Sequence, residues 1–113
     1  MMRNRKSIDK DSIIEDFIKD SKQLLKDNLV EGYLFGSYAR REQTPESDID
    51  LLFIVRKFNV QIRDEMSSLS SDYSLERDVI ISPIIKDLKV WEKNRKYDTL
   101  FYNEIIKDGI RLC

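Results

Sequence analysis

GYLFGSYARREQTPESDIDLLFIV, residues 32–55, sets two short polar motifs among apolar runs. Gly36-Ser37 comes first, ten residues follow, and Asp48-Ile49-Asp50 completes the pair. The run 30–35 is rich in aromatic and branched residues and reads as a short strand, and 51–55 is apolar throughout and reads as a buried one. Any chemistry carried by the two motifs would sit where these strands meet.

Side chains on a strand alternate faces, so Asp48 and Asp50 project to one side, with Ile49 and Leu51 on the other. Two carboxylates on one face repel each other, at a cost beside an apolar strand unless a cation holds them. All-oxygen ligation favours Mg2+ or Mn2+, and Mg2+ commonly combines one or two carboxylates with the phosphates of a nucleotide. Gly36-Ser37 complements such a pair. Glycine lets backbone approach a phosphate, the hydroxyl can donate to it, and the free N–H groups at the start of a short helix over 37–41 attract anions. Taken singly, Gly-Ser is an ordinary turn, Asp-x-Asp a solvated strand start and 44–47 a polar loop. In this order and spacing, with strands on both sides, they point to nucleotide chemistry.

The composition narrows the field. A chain of 113 residues is read as one domain, 1–113, able to bury a core but too small to add a separate substrate-binding domain. Net charge is −1, which does not favour polyanion binding, so no direct contact with nucleic acid is expected. Histidine is absent, which removes Ser-His-Asp and Cys-His catalysis and histidine-ligated zinc, and leaves carboxylates for acid–base and metal work. Cys113 is the only cysteine, so no internal disulfide can form. MMRNRKSIDK lacks a following apolar run and no segment approaches membrane-spanning length, so a cytoplasmic protein without a membrane role is expected.

Outside the motif the pattern alternates helices and strands. The first dozen residues are polar and expected to fray. Ile13, Ile14, Phe17, Ile18, Leu24 and Leu25 then recur at helical spacing over 11–28, with Asp9 or Asp11 as cap and core packing as the role of the stripe. A weaker stripe, Val60, Ile62, Met66, Leu69 and Tyr73, gives a helix over 59–74, and LERDVIISPII, 75–85, gives a third strand interrupted or ended near Pro83. Helices over 86–95 and 98–108 follow, the second stopped by Gly109. Lys93, Arg95 and Lys96 form a small basic cluster, read as a solvated turn. An aspartate directly before Val79-Ile80-Ile81 is expensive facing a core without a partner. Asp78 therefore either joins Asp48 and Asp50 from a neighbouring strand or forms a salt bridge with Arg77 or Arg56. Arg40 could serve a triphosphate or pair with Glu42 or Glu46.

GSYARREQTPESDIDLLFIV resembles the signature of the nucleotidyltransferase superfamily with the DNA polymerase beta-like fold, and within it the minimal nucleotidyltransferases, the antitoxin halves of HEPN/MNT toxin–antitoxin pairs. Gly36, Ser37, Arg40, Asp48 and Asp50 fall where that pattern has them, and the ending FYNEIIKDGIRLC is similar too. Arg41 departs from it, since many relatives carry a small residue there, often glycine. The resemblance implies an α/β (α+β) fold, a small mixed sheet flanked by helices. It implies AMP transfer from ATP to a hydroxyl with two Mg2+ ions, held by Asp48 and Asp50. Asp78 matches the family's third acid, on the acceptor side, and Gly36 and Ser37 would hold the β- and γ-phosphates. The partner implied is a HEPN ribonuclease toxin, modified on a tyrosine. A binding-only antitoxin and transfer to a small molecule such as an aminoglycoside are the competing functions.

Overall fold

The computed structural model describes residues 4–113. In chain order the elements are α1 (Asn4–Leu25), a 3-10 turn (Lys26–Asn28), β1 (Leu29–Phe35), α2 (Ser37–Arg40), β2 (Ile49–Val55), α3 (Val60–Arg77), β3 (Ile81–Asp87), α4 (Leu88–Lys96), α5 (Leu100–Asp108) and β4 (Ile110–Arg111). The four strands make one sheet in the order β3-β2-β1-β4. β1 runs antiparallel to β2 and β4, and β2 runs parallel to β3. Among the described residues no helix is long and apolar enough to cross a membrane.

β2 is apolar on both faces because both faces are covered. Ile49, Leu51, Phe53 and Val55 point into a core built with Ile13, Phe17 and Ile18 of α1 and Met66 and Tyr73 of α3. Leu52 and Ile54 face the other way, against Phe35 of β1, Trp91 of α4 and Ile105 of α5. All six of these β2 side chains are fully buried. By alternation Asp50 shares its face with Leu52 and Ile54, on the α4–α5 side of the sheet. The carboxylate thus emerges where that layer begins.

Three sequence expectations shift. The first helix is already formed at Asn4, so Asp9 and Asp11 lie inside α1 rather than at its start; residues 1–3, where fraying was also expected, lie outside the described residues. The second long helix does not end at 74 but runs to Arg77, and the third strand starts only at Ile81. The serine-rich end stays helical because it is tied to α1: Tyr73 OH donates to Asp20 at 2.6 Å, and Arg77 pairs with Asp16 at 2.9 Å while lying over the Tyr73 ring. Tertiary contacts here outweigh modest helix propensity. The last change is β4, which was not anticipated and pairs Ile110 with Leu34.

Three later helix starts are capped by side chains. Asn59 accepts from the Ile62 N–H, Asp87 from Lys89 and Thr99 from Tyr102, each capping the helix it precedes. Asp87 also accepts from the Phe58 N–H at 3.2 Å, and these two backbone bonds hold its carboxyl below the usual range. Pro83 lies within β3, and β3 is an edge strand, where a proline without an N–H to give is tolerated. On the outer side of the same strand the Ser70 hydroxyl donates to the Ile81 carbonyl at 2.5 Å.

Candidate active site

β1 delivers the chain to Gly36 through the buried Phe35. Gly36 has φ 74° and ψ −154°, a combination that only glycine enters readily. A second constraint coincides with the first: a Cβ built on Gly36 would collide with Asp50 Oδ2. The corner and the carboxylate are therefore in direct apposition, as the register requires by pairing Phe35 with Asp50 across β1 and β2. Ser37 then opens α2. Tyr38 anchors that short helix, buried and accepting a hydrogen bond from Lys10 Nζ at 2.9 Å. The helix ends at Arg41, whose φ of 59° is the left-handed value that a glycine takes at no cost. The residue at which this chain departs from the resembled pattern thus sits in a conformation that glycine takes freely.

Asp48 is exposed just before β2 and Asp50 is half-buried at its start. Burial pushes the Asp50 carboxyl up first, and the charges of Asp48 and Glu104 push it further, against a smaller opposing pull from Arg40. Such a carboxylate gains from any cation brought beside it. The donors are oxygen alone, a chemistry that suits Mg2+ or Mn2+, and Gly36 lets the corner close directly onto the Asp50 carboxylate.

Arg40 lies at the same mouth and is partly exposed. Its Nε donates to Glu42 at 2.9 Å, the ion pair that the sequence offered as an alternative to phosphate binding, and its Nη1 lies 3.8 Å from Glu104 Oε2. Glu104, on α5, is the neighbour of Arg40 and Asp50 that sequence reading missed. The signal available was its place beside Phe101 and Ile105 in the apolar stripe of α5, although Leu100 and Ile106 of that stripe are 90% and 57% exposed.

Asp78 requires a correction. It was expected on a strand beside Asp48 and Asp50, but it caps α3 in the left-handed conformation, φ 56°, exposed and three residues ahead of β3. The position of β3 in register with Asp50 is Ser82. Among the described residues no group of three ligating side chains comes together. The acidic run was misread because the apolar stretch behind it enters the sheet later than its first branched residue.

A mixed sheet with a glycine-serine corner set against an Asp-x-Asp strand defines a nucleotidyltransferase-type site. The comparisons agree: the model of the nucleotidyltransferase domain family matches residues 14–111, and the chain belongs to that family. Two Methanocaldococcus jannaschii proteins, each named a putative protein adenylyltransferase, are 38% identical over 101 residues and 28% identical over 102 residues. The first alignment covers 88% of this chain and 95% of the relative, the second 90% and 96%. A solved toxin–antitoxin structure with AMP-PNP superposes with a TM-score of 0.61 at 22% identity, over 88% of this chain and 72% of that one. A Sulfolobus solfataricus structure described as a putative nucleotidyltransferase gives 0.57 at 24% identity, over 95% and 82%. An MNT antitoxin bound to a tri-AMPylated HEPN toxin of Shewanella oneidensis gives 0.52 at 19% identity, over 96% and 71%. The expected α+β architecture is the one found.

Proposed function

We propose that this chain transfers AMP from ATP to a hydroxyl of a partner protein, a tyrosine of a HEPN ribonuclease toxin, and so acts as its antitoxin. The observation that carries the reading is the apposition of Gly36 and Asp50, a phosphate-accepting corner against a cation-seeking carboxylate. The names of the M. jannaschii relatives, and the Shewanella complex in which a HEPN toxin is AMPylated, support this acceptor class.

In this reading Asp48 and Asp50 hold Mg2+, which when bound neutralises charge on the phosphates and makes the attacking hydroxyl more acidic. The backbone at Gly36 and the Ser37 hydroxyl hold the β- and γ-phosphates, and Arg40 supplies positive charge at the mouth. The hydroxyl oxygen attacks the α-phosphorus in line with the leaving pyrophosphate, so positioning and electrostatics carry the rate. With Asp48 and Arg40 exposed, the acceptor side of residues 1–113, read as a single minimal domain, is left for the partner to wall. The setting is the cytoplasm, where ATP is, with no membrane or nucleic acid involved.

Incubation with α-labelled ATP, Mg2+ and a HEPN partner tests the reading. Label on a partner tyrosine is expected. A tight complex with no transfer would leave a binding-only antitoxin, and label on an aminoglycoside without any partner would move the acceptor to small molecules. Ser37→Ala removes one hydrogen bond to a charged group and should cost about 1.5–3 kcal/mol in nucleotide use, read from kcat/KM. Asp78→Asn, on the helix cap, should stay within about twofold of wild type. A loss as large as that from an Asp50 variant would return Asp78 to the acidic set.

A further inference from the structure

α5 brings Glu104 to the mouth of the site on a support that does not depend on the contact it makes there. Ile105 is 1% exposed, and the Phe101 ring meets the Phe35 ring edge-on at 5.4 Å. Phe35 is the residue before Gly36 and the register partner of Asp50, so α5 rests on the same piece of sheet that builds the corner. Arg40 reaches Glu104 from α2, the helix that begins at Ser37. The guanidinium is thus shared between Glu42, two residues away on its own turn, and Glu104, from the far end of the chain.

We propose that Glu104 is a positioning residue that competes with nucleotide for Arg40: it holds the guanidinium while the site is empty and gives it up to the triphosphate. The proposal rests on the nucleotidyl-transfer reading above. The pair has the character that such an exchange needs. At 3.8 Å, with side chains 37% and 39% exposed, it is long and solvated, and pairs of this kind are weak. A polyphosphate offers arginine shorter, charge-assisted and bidentate bonds, and so outbids a single solvated carboxylate. Glu42, bonded to Nε at 2.9 Å, can keep its grip on one side of the guanidinium while Nη1 changes partner.

The test is a double-mutant cycle read by titration calorimetry with AMP-PNP and Mg2+. Glu104→Gln should tighten nucleotide binding by about three- to tenfold, because the competitor for Arg40 is gone. In an Arg40→Gln background the same change should move the affinity by less than about twofold. A general effect of removing one negative charge would act equally in both backgrounds, and that result would overturn the proposal, as would an unchanged or weakened affinity in Glu104→Gln alone. If the wild-type protein bound no nucleotide, the transfer reading would fall and this proposal with it. Binding by wild type with no coupling between Arg40 and Glu104 would remove only the proposal.

Discussion

Asp50→Asn should reduce AMP transfer by at least about 10²–10³-fold while the protein remains folded, the scale of losing one preorganised charge-stabilising group from an active site. Asparagine keeps the shape and loses the charge, and a cation beside Asp48 then has one carboxylate where it had two. Stability should move the other way. The folded-state Asp50 carboxyl is raised above its ordinary value, chiefly by burial and next by Asp48. A group raised in this way contributes stability below the ordinary aspartate range and loses it as pH rises through the folded-state value. At pH 7 the ionised group therefore weighs against the metal-free fold, and the amide removes that weight. Metal-free Asp50→Asn should melt at or above the wild-type temperature at pH 7, with the difference closing near pH 3. Mg2+ should raise the wild-type midpoint by mass action and leave the variant's unmoved. Transfer near the wild-type rate, or an equal Mg2+ shift in both proteins, would remove Asp50 from the metal.

Gly36→Ala should damage both fold and activity. The backbone at φ 74° and ψ −154° costs any other residue about 1–3 kcal/mol, and the added Cβ meets the Asp50 carboxylate. Relief comes either by shifting the corner or by displacing Asp50, and each separates the two halves of the site. A displacement of about 1 Å at a positioned reaction costs on the order of 10²-fold in rate. Urea unfolding midpoints and label transfer are the measurements. A variant that kept the wild-type midpoint and rate would show that the corner does not set the position of Asp50.

Much of this was legible in the sequence because it is local. An unbroken apolar strand, a glycine before a short helix and two acids of equal parity declare themselves within a few residues, and β1, α2 and β2 lie where they were expected within two residues. The third strand did not declare itself. Leu75, counted as its first residue, is 85% exposed on the last turn of α3, held helical by Tyr73 and Arg77 reaching α1. Once that turn is helix, Asp78 becomes its cap, and the argument that an acid ahead of a branched run faces the core no longer applies. Glu104 was beyond reach for a different reason: its meeting with Arg40 depends on α5 crossing the sheet, and no spacing rule encodes that. The two-residue strand β4 forms against the β1 backbone at Tyr33 and Leu34, a pairing that no local spacing announces.

The outer margin of β3 has a bearing on how another molecule can approach. The Ile80 carbonyl accepts from Ile49 on the inward side, so Ile81 and Pro83 turn their backbone groups outward. Of those, the Ile81 carbonyl is already taken by Ser70, and Pro83 has no N–H to give. A foreign strand laid along this margin would find gaps in the ladder it needs, which guards against fibril-like stacking. A partner protein meeting this side of the molecule would therefore be gripped through side chains, leaving the sheet at its present width.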